Sequence, residues 1–439
     1  MLTVQPATAQ GLSVLRDAET EALLQDMVDP LAEAAGLGEG AVDIVILNDP
    51  SINAFVAGGQ RIFIHSGLID AADSANEVQG VLAHELGHIT GGHVNRFSEG
   101  AGNATKITLI SALLAAAAAA AGGGEAAMGI LGAGQRAAMG SFLAFTRVQE
   151  SSADAAGQQY LSEAGISGKG SLDFFRKLQS LEYRSGRKMD RETEFFRTHP
   201  LSSNRISNLE AGYVADPAWS KPSDPEIERR FRNAKAKLSG YLEAPMRTLQ
   251  DFPVSMTGES ARYARAYAYH KAGMLPEALG EAETLIAGDP DNPYFLELKG
   301  QILLESGKIA DSVGPLRQAT HLTNANPLIA STLGHALIES EDPALLEEAE
   351  RVLRAAVGRD RQNPFAWYQL GKVYGLRGDI PRARLASAEQ QIMSGMAREA
   401  LFSAEAAEAA LPTGTPDWLR AQDIALQARA QLEEQRDRR

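Results

Sequence analysis

The pattern of apolar and polar positions divides the first half of the chain into helices with a few short strands. Apolar stripes of helical period predict helices over residues 14–36, 76–90 and 141–165. Runs of β-branched and other apolar residues, bounded by turn residues, predict strands over residues 41–48 and 61–65. We therefore expect a mainly α domain that contains a small β-sheet.

The second half of the chain is built from repeats. A small residue recurs at spacings of 34, 34 and 37 residues, at Ala266, Gly300, Gly334 and Gly371. Asn-Pro pairs recur at the last two of these spacings, and 34 residues is the period of the tetratricopeptide repeat. Trp367, Leu370 and Tyr374 match the signature of its first helix. Such repeats stack into an α-solenoid whose concave face binds peptides or partner proteins.

A proline-rich linker separates the two halves. It contains Pro217, Pro222 and Pro225, with serines among them. We therefore predict a first domain over residues 1–222 and a tetratricopeptide domain over residues 223–439. The third repeat spacing also predicts a short insertion near residues 340–342.

An alanine-rich apolar run occupies residues 107–121 and ends at three glycines followed by Glu125. A helix that spans a membrane needs about 20 residues, so this run of 15 is too short. One interpretation is a buried helix with a flexible glycine hinge. The other is a mobile hairpin over residues 107–133 that covers a site or makes a peripheral contact with a membrane.

Composition narrows the classes of partner. The 439 residues include 42 Lys and Arg against 56 Asp and Glu, a net charge of −14. An acidic surface repels phosphate backbones, so we expect no nucleic-acid partner. There is no cysteine, which excludes disulfides, thiolate nucleophiles and cysteine metal sites. Ala7 and Ala9 resemble the end of an export signal, and we expect that the rest of this signal has been lost.

The residues with the clearest chemistry form an H-E-x-x-H sequence, His84-Glu85-Leu86-Gly87-His88, on the predicted helix over residues 76–90. Residues four apart share a helical face, so both imidazoles reach one metal ion. Glu85 would hold a water beside this ion and take its proton as the water attacks a peptide carbonyl. We therefore predict one Zn²⁺ per chain.

A catalytic zinc has three protein ligands and one open position, so a third ligand is needed. His93 is one candidate, but the metzincin pattern would place this histidine one residue later, at Val94. Glu150 on a later helix is the other, with Asp154 one turn on as a hydrogen-bond acceptor for a ligand histidine. A buried Glu and Asp pair needs a cation, which favours Glu150.

Several motifs occur together in a fixed order. They are Asn53-Ala54-Phe55, RIFIHSGLI over residues 61–69, VLAHELGHITGGH over residues 81–93, Glu150 with Asp154, and His199-Pro200 with Arg205. This set resembles the gluzincin peptidases, which include the CAAX prenyl proteases and the HtpX-like membrane proteases. With the repeats, the chain is most similar to the BepA-type periplasmic metallopeptidases. The resemblance implies a gluzincin-like α+β metallopeptidase domain followed by an α-solenoid.

The resemblance also implies a role for each motif residue. His84, His88 and Glu150 would be the zinc ligands, Glu85 the general base, and Asp154 the residue that orients a ligand histidine.

His199 and Arg205 would lie near the active centre and stabilise the tetrahedral intermediate, although His199 in such proteins also sits on the zinc as a plug. The strand over residues 61–65 would be the edge strand that pairs with an extended substrate. The resemblance gives His93 no role, and we expect it to be structural.

The resulting function is a periplasmic zinc endopeptidase that degrades misfolded or stalled envelope and outer-membrane proteins. Its tetratricopeptide groove would bind unfolded clients or the outer-membrane protein assembly machinery. One alternative is a chaperone or assembly scaffold whose peptidase site is latent. Another is a secreted metzincin, which would require His93 as a ligand.

Overall fold

The computed structural model describes residues 3–7, 12–93, 102, 105–115, 124–185, 199 and 203–437. The chain divides into two units. One contains residues 21–232, and the other contains residues 1–20 together with residues 233–439. The predicted domain boundary after residue 222 stays a prediction.

The strands are short. They are β1 (Thr3–Ala7), β2 (Leu12–Arg16), β3 (Asp43–Leu47), β4 (Ala54–Val56) and β5 (Arg61–His65). In the unit of residues 21–232, β5 pairs in parallel with β3 and antiparallel with β4. The predicted strands over residues 41–48 and 61–65 are thus confirmed. The expectation that residues 61–65 form an edge strand is wrong, because both sides of β5 are hydrogen-bonded to neighbours and β4 ends the strand order.

The helices of the first unit position the candidate chemistry. They are α1 (Ala18–Ala34), α2 (Ser66–Ala71), α3 (Ala75–Thr90), α4 (Gly124–Glu163), α5 (Lys169–Ser185) and α6 (Ser203–Ala215), followed by a 3₁₀ turn (Pro217–Ser220). Helix α3 begins at an N-cap, since the Ser74 side chain accepts a hydrogen bond from the Glu77 N–H. It ends at Gly91, so the predicted helix over residues 76–90 is confirmed.

The alanine-rich segment differs from one of its two interpretations. Residues 105–115 are helical, and residues 116–123 lie outside the described residues. The side chains of Leu109 and Leu113 are 61% and 65% exposed. The interpretation of this run as a buried helix is therefore wrong for the part that the structure describes.

The second unit consists of successive helices that pack in pairs. After α7 (Pro225–Leu242), which begins in the first unit, come α8 (Pro245–Asp251), α9 (Glu259–Lys271), α10 (Leu275–Gly288), α11 (Pro293–Glu305), α12 (Ile309–Leu322), α13 (Pro327–Glu339), α14 (Leu346–Arg359), α15 (Pro364–Leu376), α16 (Ile380–Met393), α17 (Ala397–Ala410) and α18 (Pro416–Asp437).

The repeat pattern has a direct packing reason. A Cβ atom added at Gly300 or Gly334 would lie within 2.5 Å of the Leu316 or Leu353 side chain of the next helix. The small residues therefore allow the helices of a pair to approach closely, as predicted. An extra 3₁₀ turn, Pro343–Leu345, accounts for the longer third spacing. The predicted α-solenoid of tetratricopeptide repeats is confirmed.

A buried ion cluster holds the start of α1 within this second unit. Lys237 Nζ lies 2.6 Å from Asp17 Oδ1 and 3.2 Å from Glu19 Oε2, and Tyr263 donates a hydrogen bond to Glu19. Lys237 and Asp17 are fully buried. Burial alone would raise the pKa of Asp17, but the charge of Lys237 holds it below its usual value. Removing one partner from such a cluster would leave an uncompensated buried charge, so the cluster fixes residues 17–19 in place.

Candidate metal centre

The H-E-x-x-H residues lie on the buried part of α3. His84 is 2% exposed and His88 is 8% exposed, and their Nε2 atoms are 3.2 Å apart. One helical turn separates the two residues, which is why both rings reach the same point. The pairing predicted from the four-residue spacing is therefore present in the structure.

Helix α4 brings Glu150 and Asp154 to the same point. It crosses α3 at two glycines whose importance was not predicted. A Cβ atom at Gly87 would lie 2.6 Å from the Ala153 carbonyl oxygen, and one at Gly157 would lie 2.9 Å from the Ala83 carbonyl oxygen. The backbones of the two helices are thus in contact. The available signal was a glycine inside each helical pattern, which often marks a close approach.

Four side chains converge on one position. They are His84, His88, Glu150 and His199, and one ligand atom from each lies within 4.8 Å of the others. Glu150 places one oxygen 3.4 Å from His84 Nε2 and the other 3.4 Å from His88 Nε2. His199 Nδ1 is 3.2 Å from His84 Nε2 and from a Glu150 oxygen.

These separations fit a metal ion. Zinc bonds of about 2.0–2.1 Å in tetrahedral geometry place neighbouring ligand atoms about 3.3–3.4 Å apart. Four separations between potential ligand atoms, from 3.2 to 3.4 Å, are close to this edge length, and the contacts of Glu150 with His84 and His88 use its two different oxygens. Two imidazoles and a carboxylate are also the donor set of many catalytic zinc sites. The residues present therefore fit a bound metal.

The electrostatics of the cluster favour a cation. Burial alone would raise the pKa of Glu150, but the charge and hydrogen bonds of the surrounding histidines hold it well below its usual range. Burial alone would lower the pKa of His84, but hydrogen bonds to Asp154 and Glu150 raise it to about 10. Without a metal, a proton on His84 thus partly neutralises these buried carboxylates.

Asp154 and Arg205 form the layer behind the ligand atoms. Asp154 Oδ1 lies 2.9 Å from His84 Nδ1, the nitrogen that faces away from the cluster. Arg205 donates two hydrogen bonds of 2.7 Å to Asp154 and lies 3.1 Å from Glu150. Both residues were expected near the active centre. Arg205 contacts the carboxylates of Asp154 and Glu150 and the ring of Phe175.

Glu85 is the most buried carboxylate of the site, at 1% exposure. Neither of its oxygens makes a hydrogen bond with any residue in the described part of the chain. Its Oε1 atom is 3.5 Å from His199 Nε2. A buried carboxylate of this kind needs a partner, and a water bound at the metal position would provide one.

His199 bridges the cluster and the sheet. Its Nε2 atom lies 3.3 Å from the Ala54 carbonyl oxygen of β4. A carbonyl only accepts hydrogen bonds, so in the neutral ring Nε2 carries the hydrogen and Nδ1 presents a lone pair to the cluster. His199 is thus oriented as a fourth ligand.

His93 does not join the four converging side chains. Its Nδ1 atom is 2.9 Å from His88 Nδ1, the nitrogen on the far side of that ring from the cluster. This position is unsuitable for a metal ligand, which argues against the metzincin alternative.

The fold and the site together define a metallopeptidase joined to a tetratricopeptide domain. Residues 18–212 match the model of Peptidase family M48.

Individual relatives share parts of this organisation. The chain is 26% identical to the beta-barrel assembly-enhancing protease of Yersinia pestis over 377 residues, 84% of this chain and 75% of that protein. It is 32% identical to the metalloprotease LoiP of Escherichia coli K12 over 170 residues, 38% of this chain and 60% of that protein. Among solved structures, the match with a crystal structure of MamA covers 39% of this chain and 96% of the MamA chain, with 20% identity and a TM-score of 0.30.

Among the helices of the described residues, none is long and apolar enough to cross a bilayer.

The geometry predicts one metal ion per chain, and His84→Ala and Glu150→Gln should each remove it. Each substitution deletes a ligand atom, and even the loss of an outer hydrogen-bond partner typically costs 10–100-fold in metal affinity. Atomic spectrometry on purified protein measures the stoichiometry. His321→Ala, an exposed histidine of the repeat unit, is the matched control and should retain the metal. Full metal content in both ligand variants would contradict the assignment.

Proposed function

We propose that the protein is a zinc-dependent endopeptidase that cuts extended, unfolded protein segments. The observation that carries this proposal is the convergence of His84, His88, Glu150 and His199 on one position next to the buried carboxylate of Glu85, which has no hydrogen-bond partner among the described residues. Zinc is the metal that best suits two imidazoles and a carboxylate in this geometry.

His84, His88 and Glu150 would hold the ion, which lowers the pKa of a water to about 7 and polarises a substrate carbonyl. Glu85 would take the proton of the attacking water and return it to the leaving amine. Asp154 Oδ1, which lies 2.9 Å from His84 Nδ1, would hold that ring in the ligand orientation. Arg205 would keep Asp154 and Glu150 ionised.

Substrate backbone would bind along β4. This strand ends the strand order, so one of its sides is not paired within the sheet of β3, β5 and β4. An extended peptide added there gains main-chain hydrogen bonds that depend little on its side chains. The Ala54 carbonyl, which His199 Nε2 contacts at 3.3 Å, would become an acceptor for such a peptide once His199 moves away.

The tetratricopeptide domain would bring clients to this site. Such repeats offer a concave surface for peptides, and tethering raises the effective concentration of client chain at the metal. The relatives named for beta-barrel assembly support a role in the periplasm, in the removal of misfolded or stalled outer-membrane proteins. The repeat groove would then hold such clients or the assembly machinery itself. We place the functional boundary between the two activities after residue 222.

Glu85→Gln should abolish cleavage of casein, an unfolded protein, while zinc remains bound. General-base catalysis is worth about 10²–10⁴-fold, and the amide cannot accept the proton. Cleavage is followed by gel electrophoresis and zinc by atomic spectrometry. Glu163→Gln, an exposed change on α4, is the control and should cleave like the parent. Unchanged cleavage by Glu85→Gln would rule out the assigned base.

The alternative is a scaffold whose peptidase site is latent, and the position of His199 favours it as a resting state. His199 Nδ1 lies 3.2 Å from His84 Nε2 and from a Glu150 oxygen, so this ring would occupy the place that a metal-bound water needs. It also occupies the Ala54 carbonyl that an extended substrate would use. The two functions would then be two states of one site.

His199→Ala should therefore increase casein cleavage at least several-fold at equal zinc content, because it opens the fourth coordination position. Initial rates at saturating zinc measure the effect, with His321→Ala as the control. A fall in rate would instead support the role of His199 in stabilising the tetrahedral intermediate and would exclude a latent resting state.

A peripheral membrane contact through residues 107–133 would place this peptidase at a lipid surface. Leu109, Leu113 and Met128 are 61%, 65% and 70% exposed. Glu125 is the one charged residue within residues 107–133. An apolar face of this kind binds at the interface of a bilayer without crossing it.

The double variant Leu109→Glu/Leu113→Glu should reduce co-sedimentation with mixed phosphatidylethanolamine and phosphatidylglycerol vesicles by tenfold or more. Burying one leucine contributes about 1.5–3 kcal/mol, and both side chains lie on one helical face. Leu426→Glu, which is also 61% exposed, is the matched control on the repeat unit. Parent protein that stays in the supernatant, or equal binding by the double variant, would contradict the contact.

A further inference from the structure

His93 lies behind the metal cluster and contacts His88. It lies three residues after the end of α3, is 6% exposed, and its ring centroid is 4.9 Å from that of His88. The two Nδ1 atoms are 2.9 Å apart. His88 directs Nε2 towards Glu150 and His84, so the nitrogen that His93 touches is the one that does not face the metal position.

A chain of hydrogen bonds runs from His88 through His93 and Ser152 to the Gln149 carbonyl. When His88 Nε2 is a ligand of a metal, the neutral ring carries its hydrogen on Nδ1 and donates it to His93 Nδ1. His93 then carries its own hydrogen on Nε2, which lies 3.0 Å from Ser152 Oγ. The Ser152 hydroxyl donates in turn to the Gln149 carbonyl oxygen at 3.0 Å. Each bond in this chain has one donor and one acceptor.

The two glycines after α3 allow the His93 ring to reach His88. Gly92 has a φ of 62°, in the left-handed region that favours glycine, and it turns the chain back towards the helix. A Cβ atom at Gly91 would lie 2.4 Å from His93 Nε2. The Gly91-Gly92-His93 sequence therefore ends the helix and also places the His93 ring against His88.

The two histidine ligands are thus supported in the same way. His84 Nδ1 faces Asp154, and His88 Nδ1 faces His93, which Ser152 holds. Asp154 and Ser152 both belong to α4, the helix that supplies Glu150. One helix therefore provides a ligand and supports both histidines from behind.

We propose that His93 is a positioning residue that fixes the ring orientation and tautomer of His88 as a metal ligand, with Ser152 as its anchor. This inference rests on the proposed zinc site. Outer hydrogen-bond partners of metal-binding histidines typically contribute 10–100-fold to metal affinity. Loss of the acceptor at His93 has an effect of this size.

The test compares two variants that differ in whether they keep a hydrogen-bond acceptor at this position. His93→Asn keeps an acceptor, since Asn Oδ1 takes roughly the place of His Nδ1, whereas His93→Phe keeps a ring and removes the acceptor. Zinc affinity is measured by competition with a chromogenic chelator. We expect a 10–100-fold loss for His93→Phe, a loss of less than about threefold for His93→Asn, and an intermediate loss for Ser152→Ala.

Thermal unfolding of the metal-free proteins separates positioning from general stability. Equal losses of affinity in His93→Phe and His93→Asn would overturn the proposal in favour of a direct ligand. Lower unfolding temperatures with unchanged affinity would overturn it in favour of a purely structural role. Absence of zinc from the parent protein would instead contradict the proposed function on which the inference rests, so the two failures are distinguishable.

Discussion

The backbone contact between α3 and α4 is the constraint on which the site depends. Glycines at positions 87 and 157 let the helices approach until their main chains touch. Any side chain at either position would separate them by at least the width of a methyl group, and Glu150 would no longer reach the two imidazoles. The H-E-x-x-H spacing aligns His84 and His88 on one helix, but only this close crossing adds the carboxylate from another.

That crossing also concentrates charge in a buried space. Glu85, Glu150 and Asp154 are all buried, and Arg205 is the cation that pairs with two of them. Isolated charges are costly to bury, so the arrangement is stable only with further positive charge. A proton on His84 supplies some of it, and a divalent ion supplies more. The buried carboxylates therefore favour the binding of a cation at the same place where Glu150 can ligate it.

Local patterns predicted helix α3, the strand Arg61–His65 and the repeats, since each follows from a regular period in the chain. These patterns failed where contacts between residues far apart in the sequence determine the structure. Strand β5 is central because β4 adds to it from the other side, and no feature of residues 61–65 encodes that partner. The role that we propose for His93 was equally hidden, because it depends on a left-handed turn at Gly92 and on Ser152, which is 59 residues away.

The position of His199 would connect the proposed peptidase function with the alternative scaffold function. One ring nitrogen lies at the fourth vertex of the cluster, and the other lies at the Ala54 carbonyl of β4. A substrate strand that used this carbonyl would displace the hydrogen bond that orients the ring, and this would free the vertex at the same step. Substrate binding along β4 and opening of the metal position would thus both require the displacement of His199. In the proposed function, a site of this kind would stay closed until an unfolded segment arrives.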